Sequence, residues 1–213
     1  SICKFKPKNL IAVTGTNGKS SIANFYFQIL NLNNQKVASI GTLGIQTNTN
    51  KKAISNTTLD PVQLSNFLKN LKKEKINNVI LEASSHGLHQ NRLDGLDFKT
   101  GIFTNLSHDH LDYHKNFSQY LESKLYLFRT LLKKNSNIIT DRSIPEYKKI
   151  RNISLKRKLK INAICDNNSI LKLISHEYIR EKQIIKINYK NYVYNFEINL
   201  IGKIQIKNIL MSM

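Results

Sequence analysis

The sequence predicts an α/β fold in which a mostly parallel sheet is flanked by helices. From about residue 10 to residue 140, short apolar runs alternate with amphipathic stretches, which is the pattern of strand–helix units around a parallel sheet. A glycine-containing segment at residues 15–21 stands directly between an apolar run and a stretch with helical spacing. Beyond about residue 160 the pattern changes to short alternating segments, which predict a small antiparallel β lobe near the C-terminus.

The parallel sheet is predicted to contain five strands joined by helices. The strands are residues 9–14, 37–40, 78–82, 100–104 and 137–140. The clearest helix begins after Asp60, because aspartate is a favourable N-cap and Pro61 suits the first helical position. Its apolar face is predicted to comprise Leu64, Phe67, Leu68 and Leu71. The β lobe is expected at about residues 160–200, and a further helix is expected to open after Gly202.

Composition narrows the classes of function. The 33 Lys and Arg residues outnumber the 14 Asp and Glu residues, and the net charge of +19 favours anionic partners. The basic residues form no single tract, and the densest run lacks the interleaved aromatic side chains that stack on bases, so we expect no nucleic-acid partner.

Cys3 and Cys165 stand alone, so neither a disulfide framework nor a thiolate metal site is indicated. No apolar run approaches the length of a membrane span and no signal peptide opens the chain, so we expect a cytoplasmic protein without a membrane partner.

The strongest motif is the segment GTNGKSS at residues 15–21. Its glycines allow a tight turn whose backbone N–H groups face an anion, Lys19 can reach the outer phosphates of a nucleotide, and Ser20 can hold Mg²⁺. The usual pattern has glycine where this chain has Val13, so the match is partial. Its position between a strand and a helix favours a phosphate-binding loop over an ordinary turn.

Two further clusters of polar residues follow apolar strands. Glu82 ends the run Val-Ile-Leu, where the carboxyl ends of parallel strands carry binding residues, and with a phosphate loop nearby it becomes a second candidate ligand for Mg²⁺. The segment NLSHDHLDYH at residues 105–114 comes close to the HxHxDH pattern of zinc hydrolases of the metallo-β-lactamase kind. His108, His110 and Asp112 fit that pattern, whereas His114 comes one residue late. That alternative gives no role to the phosphate loop.

A lysine lies on the apolar side of the helix predicted at residues 117–134. Phe117, Leu121, Phe128 and Leu132 share one side of this helix, and Lys124 falls within that stripe. One interpretation is that the side chain extends its ammonium to water. The other is that poor solvation lowers the pKa of the amine, which then reacts with CO₂ to form a carbamate whose oxygens bind a hard cation such as Mg²⁺.

Together these motifs resemble the Mur ligases, and most closely those that add the third residue of the peptidoglycan stem peptide. Five segments support the resemblance: residues 15–21, residues 56–58 with 60–61 after them, residues 82–88 continuing to Gln90 and Arg92, residues 104–107 with 109–114, and Lys124. Near the end of the chain Asn208 is kept, whereas Gln205 stands where the family usually has asparagine. The resemblance covers only the family's central ATP-binding domain, at residues 1–213. It implies that an N-terminal UDP-binding domain and a C-terminal amino-acid-binding domain are absent, and that the chain binds Mg²⁺–ATP weakly without catalysing ligation alone.

The resemblance also implies a role for each matching residue. ATP would be bound by Gly15, Thr16, Asn17, Gly18, Lys19, Ser20, Ser21 and Asn208. Catalysis would depend on Lys19, Glu82, His110 and Lys124; one Mg²⁺ would be held by Ser20 and Glu82, and a second by Glu82, His110 and carbamylated Lys124. UDP-N-acetylmuramoyl-L-alanyl-D-glutamate would be held by Asn56, Thr57, Thr58, Ser84, Gln90 and Arg92.

The implied reaction is ATP-dependent formation of an amide bond in peptidoglycan precursor synthesis, through an acyl phosphate, with meso-diaminopimelate or L-lysine as the incoming amino acid. We expect a monomer. The alternatives are a folylpolyglutamate synthase, another Mur ligase, or a nucleic-acid-dependent ATPase with the same type of loop.

Overall fold

The computed structural model describes residues 7–109, 113–164, 169, 171–200 and 202–213. Its helices are α1 (Lys19–Leu32), α2 (Pro61–Lys73), α3 (Ser85–His89), α4 (Phe117–Tyr126), α5 (Tyr147–Arg157) and α6 (Lys203–Ser212), with a π-helical turn at Leu127–Leu131. Its strands are β1 (Asn9–Thr14), β2 (Val37–Gly41), β3 (Gly44–Thr47), β4 (Lys51–Lys52), β5 (Asn78–Glu82), β6 (Phe98–Phe103), β7 (Leu132–Asp141), β8 (Lys160–Ile164), β9 (Leu171–Ile179), β10 (Lys182–Tyr189) and β11 (Tyr192–Ile198). No helix within these described ranges has the length and apolar character needed to cross a membrane.

The strand order of the main sheet determines where the candidate site lies. Its strand order is β4-β3-β2-β5-β1-β6-β7-β8, and all pairs from β2 to β8 are parallel. The chain passes from β5 on one side of β1 to β6 on the other, so the carboxyl ends of these three strands border a topological switch point. Open α/β sheets bind their ligands at such points. Register brings Val13 opposite Glu82 and Thr14 opposite Phe103.

Two apolar layers cover the two faces of the sheet. Because successive residues of a strand point to opposite faces, Leu10 and Ala12 of β1 join the layer formed with α2, α3, α4 and α5, whereas Val13 joins the other layer. That second layer contains residues of α1 and α6 together with Ile185 and Ile187 of β10. The helices therefore cover both faces, which confirms the predicted α/β class.

The antiparallel lobe is a three-stranded sheet in the order β11-β10-β9. It begins later than the sequence pattern indicates, because β8 is the edge strand of the large parallel sheet. The predicted strand starts at residues 9, 37 and 78 agree with β1, β2 and β5. The sequence analysis did not predict β3, β4 or β8 as strands of the main sheet. These strands carry few buried side chains, so no clear apolar pattern marks them in the sequence.

The helix predicted at residues 117–134 is shorter than its spacing suggests. Helix α4 ends at Tyr126, the π-helical turn follows, and β7 begins at Leu132. Leu132 pairs with Phe98 in the sheet, and this tertiary pairing draws the last residues of the apolar stripe into an extended conformation. The N-cap prediction for α2 is confirmed, since the Asp60 carboxylate accepts hydrogen bonds from the backbone N–H groups of Val62 and Gln63.

Candidate functional site

The loop between β1 and α1 has the backbone of a phosphate-binding turn. Gly15 and Gly18 have φ values of +139° and +88°, which side chains other than glycine rarely adopt. A Cβ atom at Gly18 would lie 2.7 Å from the Asn208 side-chain oxygen, so α6 approaches the loop directly at this glycine. Helix α1 begins at Lys19, immediately after Gly18, and its first N–H groups therefore lie at the loop.

Residues at the end of β6 hold the loop in place. The Asn105 side chain accepts a hydrogen bond from the Asn17 backbone N–H at 3.0 Å, and its amide nitrogen donates to the Asn17 carbonyl at 3.2 Å. The Thr104 hydroxyl donates to the same Asn17 carbonyl at 2.6 Å, and the Thr16 N–H donates to the Asn105 carbonyl at 2.9 Å. These four hydrogen bonds join the loop to the strand beside β1.

Two lysines converge on one carbonyl of the loop. Lys19 donates to the Gly15 carbonyl at 3.0 Å and to the Thr16 carbonyl at 2.7 Å, and Lys124 donates to the Gly15 carbonyl at 2.8 Å. Lys124 is only 1% exposed, so the structure excludes the interpretation in which its ammonium extends to water. Burial, with the positive charge of Lys19 as a smaller cause, lowers the pKa of Lys124 to about 7, while Asp109 acts in the opposite direction. Burial also lowers the pKa of Lys19, against the attraction of Glu82 and Asp109.

The carboxylate of Glu82 lies beside the loop at the end of β5. It is 1% exposed and accepts a hydrogen bond from the Ser20 hydroxyl at 3.0 Å. Thr42 holds it from the other side, with its N–H donating to Oε1 at 2.8 Å and its hydroxyl donating to Oε2 at 3.2 Å. Gly41 leaves the room for this carboxylate, because a Cβ atom there would overlap Glu82. Ser20 and Glu82 thus present two hard oxygen donors next to the phosphate loop.

A second group of predicted residues lies around the start of α3. The Thr58 hydroxyl is 2.9 Å from the Glu82 carbonyl and 3.0 Å from the Ser84 hydroxyl, and Ser84 caps α3 by accepting from the Gly87 N–H. Arg92 donates to the Thr58 carbonyl at 2.9 Å and to the Gln90 side-chain oxygen at 2.8 Å. The structure therefore brings this group together within one connected hydrogen-bond network.

The remaining predicted residues differ in their surroundings. Asn56 is exposed, and the Thr57 hydroxyl lies 3.2 Å from the Thr42 hydroxyl, which links it to the Glu82 side of the site. His110 and Asp112 lie outside the described residues. The ring of His108 lies 4.9 Å from that of Phe117. Within the described ranges no group of three or more His, Cys, Asp or Glu side chains is arranged to hold a metal ion.

Three residues of the site were missed in the sequence. Thr42 follows β2 in a segment without any motif, although its position after a strand at the binding edge of the sheet was a usable signal. Tyr120 is fully buried, and its hydroxyl oxygen lies 3.1 Å from the Thr16 hydroxyl oxygen. Asn105 belongs to a segment that the sequence singled out, but its two hydrogen bonds to Asn17 follow only from the pairing of β6 with β1.

Comparison with known proteins shows which family the chain belongs to. The family model for the Mur ligase middle domain matches residues 13–213. The chain is 35% identical over 207 residues to the UDP-N-acetylmuramoyl-L-alanyl-D-glutamate--2,6-diaminopimelate ligase of Agrobacterium fabrum, covering 97% of this chain and 42% of that protein. It is 38% identical over 211 residues to the ligase of the same name from Rickettsia bellii, covering 97% of this chain and 44% of that protein. The chain thus spans less than half the length of these relatives.

Solved structures show the same fold. A structure of UDP-N-acetylmuramoyl-L-alanyl-D-glutamate--2,6-diaminopimelate ligase superposes with a TM-score of 0.85 at 29% identity, covering 98% of this chain and 42% of that one. The Mycobacterium tuberculosis folylpolyglutamate synthase complexed with ADP has a TM-score of 0.75 at 13% identity, covering 96% of this chain and 52% of that one, and at this identity it shows the fold alone. The matched family model, together with the loop, Glu82 and Lys124 in one site, establishes that the chain belongs to the Mur ligase middle domain family.

Proposed function

We propose that this chain is the nucleotide-binding domain of an ATP-dependent ligase that adds 2,6-diaminopimelate to UDP-N-acetylmuramoyl-L-alanyl-D-glutamate in peptidoglycan precursor synthesis. The observation that carries the proposal is the convergence of Ser20, Glu82, Lys19 and Lys124 on one loop at the switch point of the sheet. Members of the family are ATP-dependent, amide-bond-forming ligases, and the relatives named above are diaminopimelate ligases. These names favour diaminopimelate over lysine as the incoming amino acid.

The residues of the loop are suited to hold Mg²⁺–ATP. The Ser20 hydroxyl and the Glu82 carboxylate are 3.0 Å apart, and hydroxyl and carboxylate oxygens are the donors that Mg²⁺ prefers. When bound, Mg²⁺ would neutralise part of the charge of the transferring phosphoryl group. Lys19 would exchange its two loop carbonyls for phosphate oxygens, the N–H groups of residues 15–21 would bind the phosphates, and Asn208 would lie on the adenine side.

We propose that Lys124 is carbamylated and, with Glu82 and His110, holds a second Mg²⁺. With a pKa of about 7, a large share of the amine is neutral at physiological pH. The neutral nitrogen attacks the carbon of CO₂, so that one N–C bond forms while the electron pair of one C=O π bond moves onto oxygen. One N–H proton then leaves to water, which gives a carbamate anion. This product places an anion beside the Lys19 ammonium, whereas protonated Lys124 would place a second cation there.

The group around α3 would hold the muramoyl peptide. Thr58, Ser84, Gln90 and Arg92 form one network that is linked to Glu82 through Thr58, and Asn56 and Thr57 precede it in the same loop. In the proposed reaction the carboxylate of the peptide attacks the γ-phosphorus of ATP, the P–O bond between the β- and γ-phosphates breaks, and ADP leaves, which gives an acyl phosphate. The amine of the incoming amino acid then displaces phosphate and forms the amide bond.

Nucleotide binding can be tested on this chain directly. Titration calorimetry with a non-hydrolysable ATP analogue should show binding that weakens when EDTA replaces Mg²⁺. Glu82→Gln should weaken the Mg²⁺-dependent binding at least tenfold, because a carboxylate ligand becomes a neutral amide. Glu122→Gln is the matched control, since Glu122 is exposed and pairs with Arg129 on the surface. Equal binding by the chain and the Glu82→Gln variant would contradict the proposed site.

We propose that the reaction itself is tested on the complete gene product, because this chain spans less than half the length of the ligases it matches. We expect it to form the amide with ATP, UDP-N-acetylmuramoyl-L-alanyl-D-glutamate and meso-diaminopimelate, and to do so faster than with L-lysine, as measured by product chromatography. The 213-residue chain alone should bind nucleotide without forming product. Hydrolysis of ATP stimulated by RNA or DNA, with no effect of the muramoyl peptide, would instead support a nucleic-acid-dependent ATPase, and glutamylation of folate would support a folylpolyglutamate synthase.

Carbamylation has its own test. A ¹³C NMR spectrum of this chain with ¹³C-bicarbonate should contain a carbamate signal that is absent from the Lys124→Ala variant. In the complete gene product, Lys124→Ala should abolish ligation, and short carboxylic acids should restore part of it by supplying the missing carboxylate. The absence of both the signal and the rescue would leave Lys124 as an unmodified lysine that anchors the loop.

We also propose that the protein is a monomer and that it is cytoplasmic. Gel filtration would check the monomeric state.

A further inference from the structure

Helix α4 contacts two consecutive residues of the phosphate loop. Lys124 donates to the Gly15 carbonyl at 2.8 Å, and the Tyr120 hydroxyl oxygen lies 3.1 Å from that of Thr16. Tyr120 and Lys124 are four residues apart in α4, which places them on the same face of the helix, and the Lys124 nitrogen lies 4.3 Å from the centre of the Tyr120 ring. One helix face therefore supports the loop at both positions.

The Tyr120 hydroxyl is not explained by packing alone. The side chain is fully buried, with the Lys124 nitrogen 4.3 Å from the centre of its ring and the His114 ring 5.2 Å away. A buried hydroxyl costs free energy unless it is hydrogen-bonded. A partner of this hydroxyl is the Thr16 side chain of the phosphate loop, and this contact indicates a role in the geometry of the loop.

Thr16 is held by hydrogen bonds from two parts of the structure, the segment after β6 and helix α4. Its backbone N–H donates to the Asn105 carbonyl, which follows β6. Its hydroxyl accepts from the Ser107 N–H at 3.0 Å and donates to the Ser107 carbonyl at 3.3 Å. Both of those partners belong to the segment that follows β6. Tyr120 is the partner contributed by α4, so it joins the loop to the helix that also carries Lys124.

We propose that Tyr120 is a positioning residue for phosphoryl transfer, whose hydroxyl holds Thr16 of the nucleotide loop and whose ring holds the side chain of Lys124. The inference rests on the proposed function, because it requires that the loop bind nucleotide. It assigns two separable parts to one side chain: the hydroxyl acts on the loop, and the ring packs against the Lys124 side chain, whether its nitrogen is an amine or the proposed carbamate.

A double-mutant cycle on this chain tests the hydroxyl. Tyr120→Phe and Thr16→Val each remove one hydroxyl while keeping the shape of the side chain. Loss of a hydrogen bond between neutral groups corresponds to a factor of about 3 to 10 in affinity. We expect Tyr120→Phe to weaken binding of the Mg²⁺-bound ATP analogue by this factor. Thr16→Val should weaken it at least as much, because it also removes the hydrogen bonds of Thr16 with Ser107, and the double variant should bind about as weakly as Thr16→Val alone. Tyr126→Phe is the matched control, because its hydroxyl bonds to Asp94 away from the loop, and its affinity should stay within about twofold.

Thermal unfolding of the same variants separates positioning from stability. If Tyr120→Phe lowers the melting temperature but binds nucleotide as tightly as the unmodified chain, Tyr120 has only a structural role and the inference is overturned. It is also overturned if the effects of the two single variants multiply in the double variant, because the two hydroxyls then act independently. Absence of nucleotide binding in the unmodified chain would overturn the proposed function, and the inference with it.

The ring is tested in the complete gene product. Tyr120→Phe keeps the ring over Lys124, so its kcat for ligation should stay close to that of the unmodified enzyme while KM for ATP rises. Tyr120→Leu removes the ring as well and should lower kcat in addition. Equal kcat values for the phenylalanine and leucine variants would show that the ring has no part in positioning Lys124.

Discussion

Replacement of Lys124 with methionine should remove a pH dependence of stability that the buried amine imposes on the chain. The pKa of this lysine falls from its ordinary value of 10.5 to about 7 in the folded state, chiefly because burial disfavours the charged form. Between these two pH values the unfolded chain binds a proton that the folded chain does not. Stability therefore rises with pH across this window, and the contribution of Lys124 is least favourable below about pH 7.

The magnitude follows from the size of the window. One pH unit corresponds to about 1.36 kcal/mol, so the free energy of unfolding should rise by roughly 2.7 kcal/mol between pH 7.5 and pH 9.5 relative to a variant that lacks the amine. Across the whole window the difference approaches about 5 kcal/mol. Lys124→Met is the variant of choice because methionine keeps most of the length of the unbranched side chain without the amine.

The assay is urea unfolding at constant ionic strength in CO₂-free buffer, which prevents carbamate formation. The free energies of unfolding of the chain and of Lys124→Met are measured at both pH values. The difference between the two proteins at the lower pH is then compared with their difference at the higher pH. Lys133→Met serves as the control, because the Lys133 side chain is 58% exposed and its replacement should leave the pH dependence unchanged. Parallel pH dependences of the chain and Lys124→Met, within about 0.5 kcal/mol, would refute the reasoning that burial governs this amine.

Two further predictions concern the surroundings of the site. Gly87→Ala should destabilise the chain by about 1–3 kcal/mol in urea unfolding, because the new Cβ would lie 2.6 Å from the Thr58 side chain, and unchanged stability would mean that α3 can move away without cost. Asp141→Asn should cost about 1–3 kcal/mol at pH 7, since it breaks the ion pair with the partly exposed Lys207. Burial alone would raise the pKa of Asp141, but hydrogen bonds from Lys207 and Ser143 together lower it below 3.8. The stability from this carboxylate is therefore present above about pH 4 and is lost as the pH falls through the lowered folded value, so acid unfolding of Asp141→Asn should be less steep there.

Local chemistry explains what could be predicted from the sequence. Residues 15–21 were recognisable because the special backbone of Gly15 and Gly18 and the following lysine and serine are all needed within one turn. The start of α2 was recognisable because a cap acts over three residues. Strands β1, β2 and β5 were recognisable because central parallel strands are buried on both faces and read as continuous apolar runs.

Tertiary structure decided the features that depend on distant segments. The same stripe that predicted a helix to residue 134 is divided between α4, the π-helical turn and β7, because Leu132 finds a partner in Phe98. For Lys124, spacing alone left two interpretations open, and only the approach of α4 to Gly15 showed that its nitrogen is enclosed.

The sequence by itself therefore determined the fold class, the nucleotide loop and the residue types of the site. The tertiary structure decided that Thr42 holds Glu82, that Tyr120 reaches Thr16, and that two lysines share the Gly15 carbonyl. The physical reason is that backbone turns and caps depend on neighbours within a few residues, whereas the burial and the partners of a side chain depend on which strands and helices pack beside it.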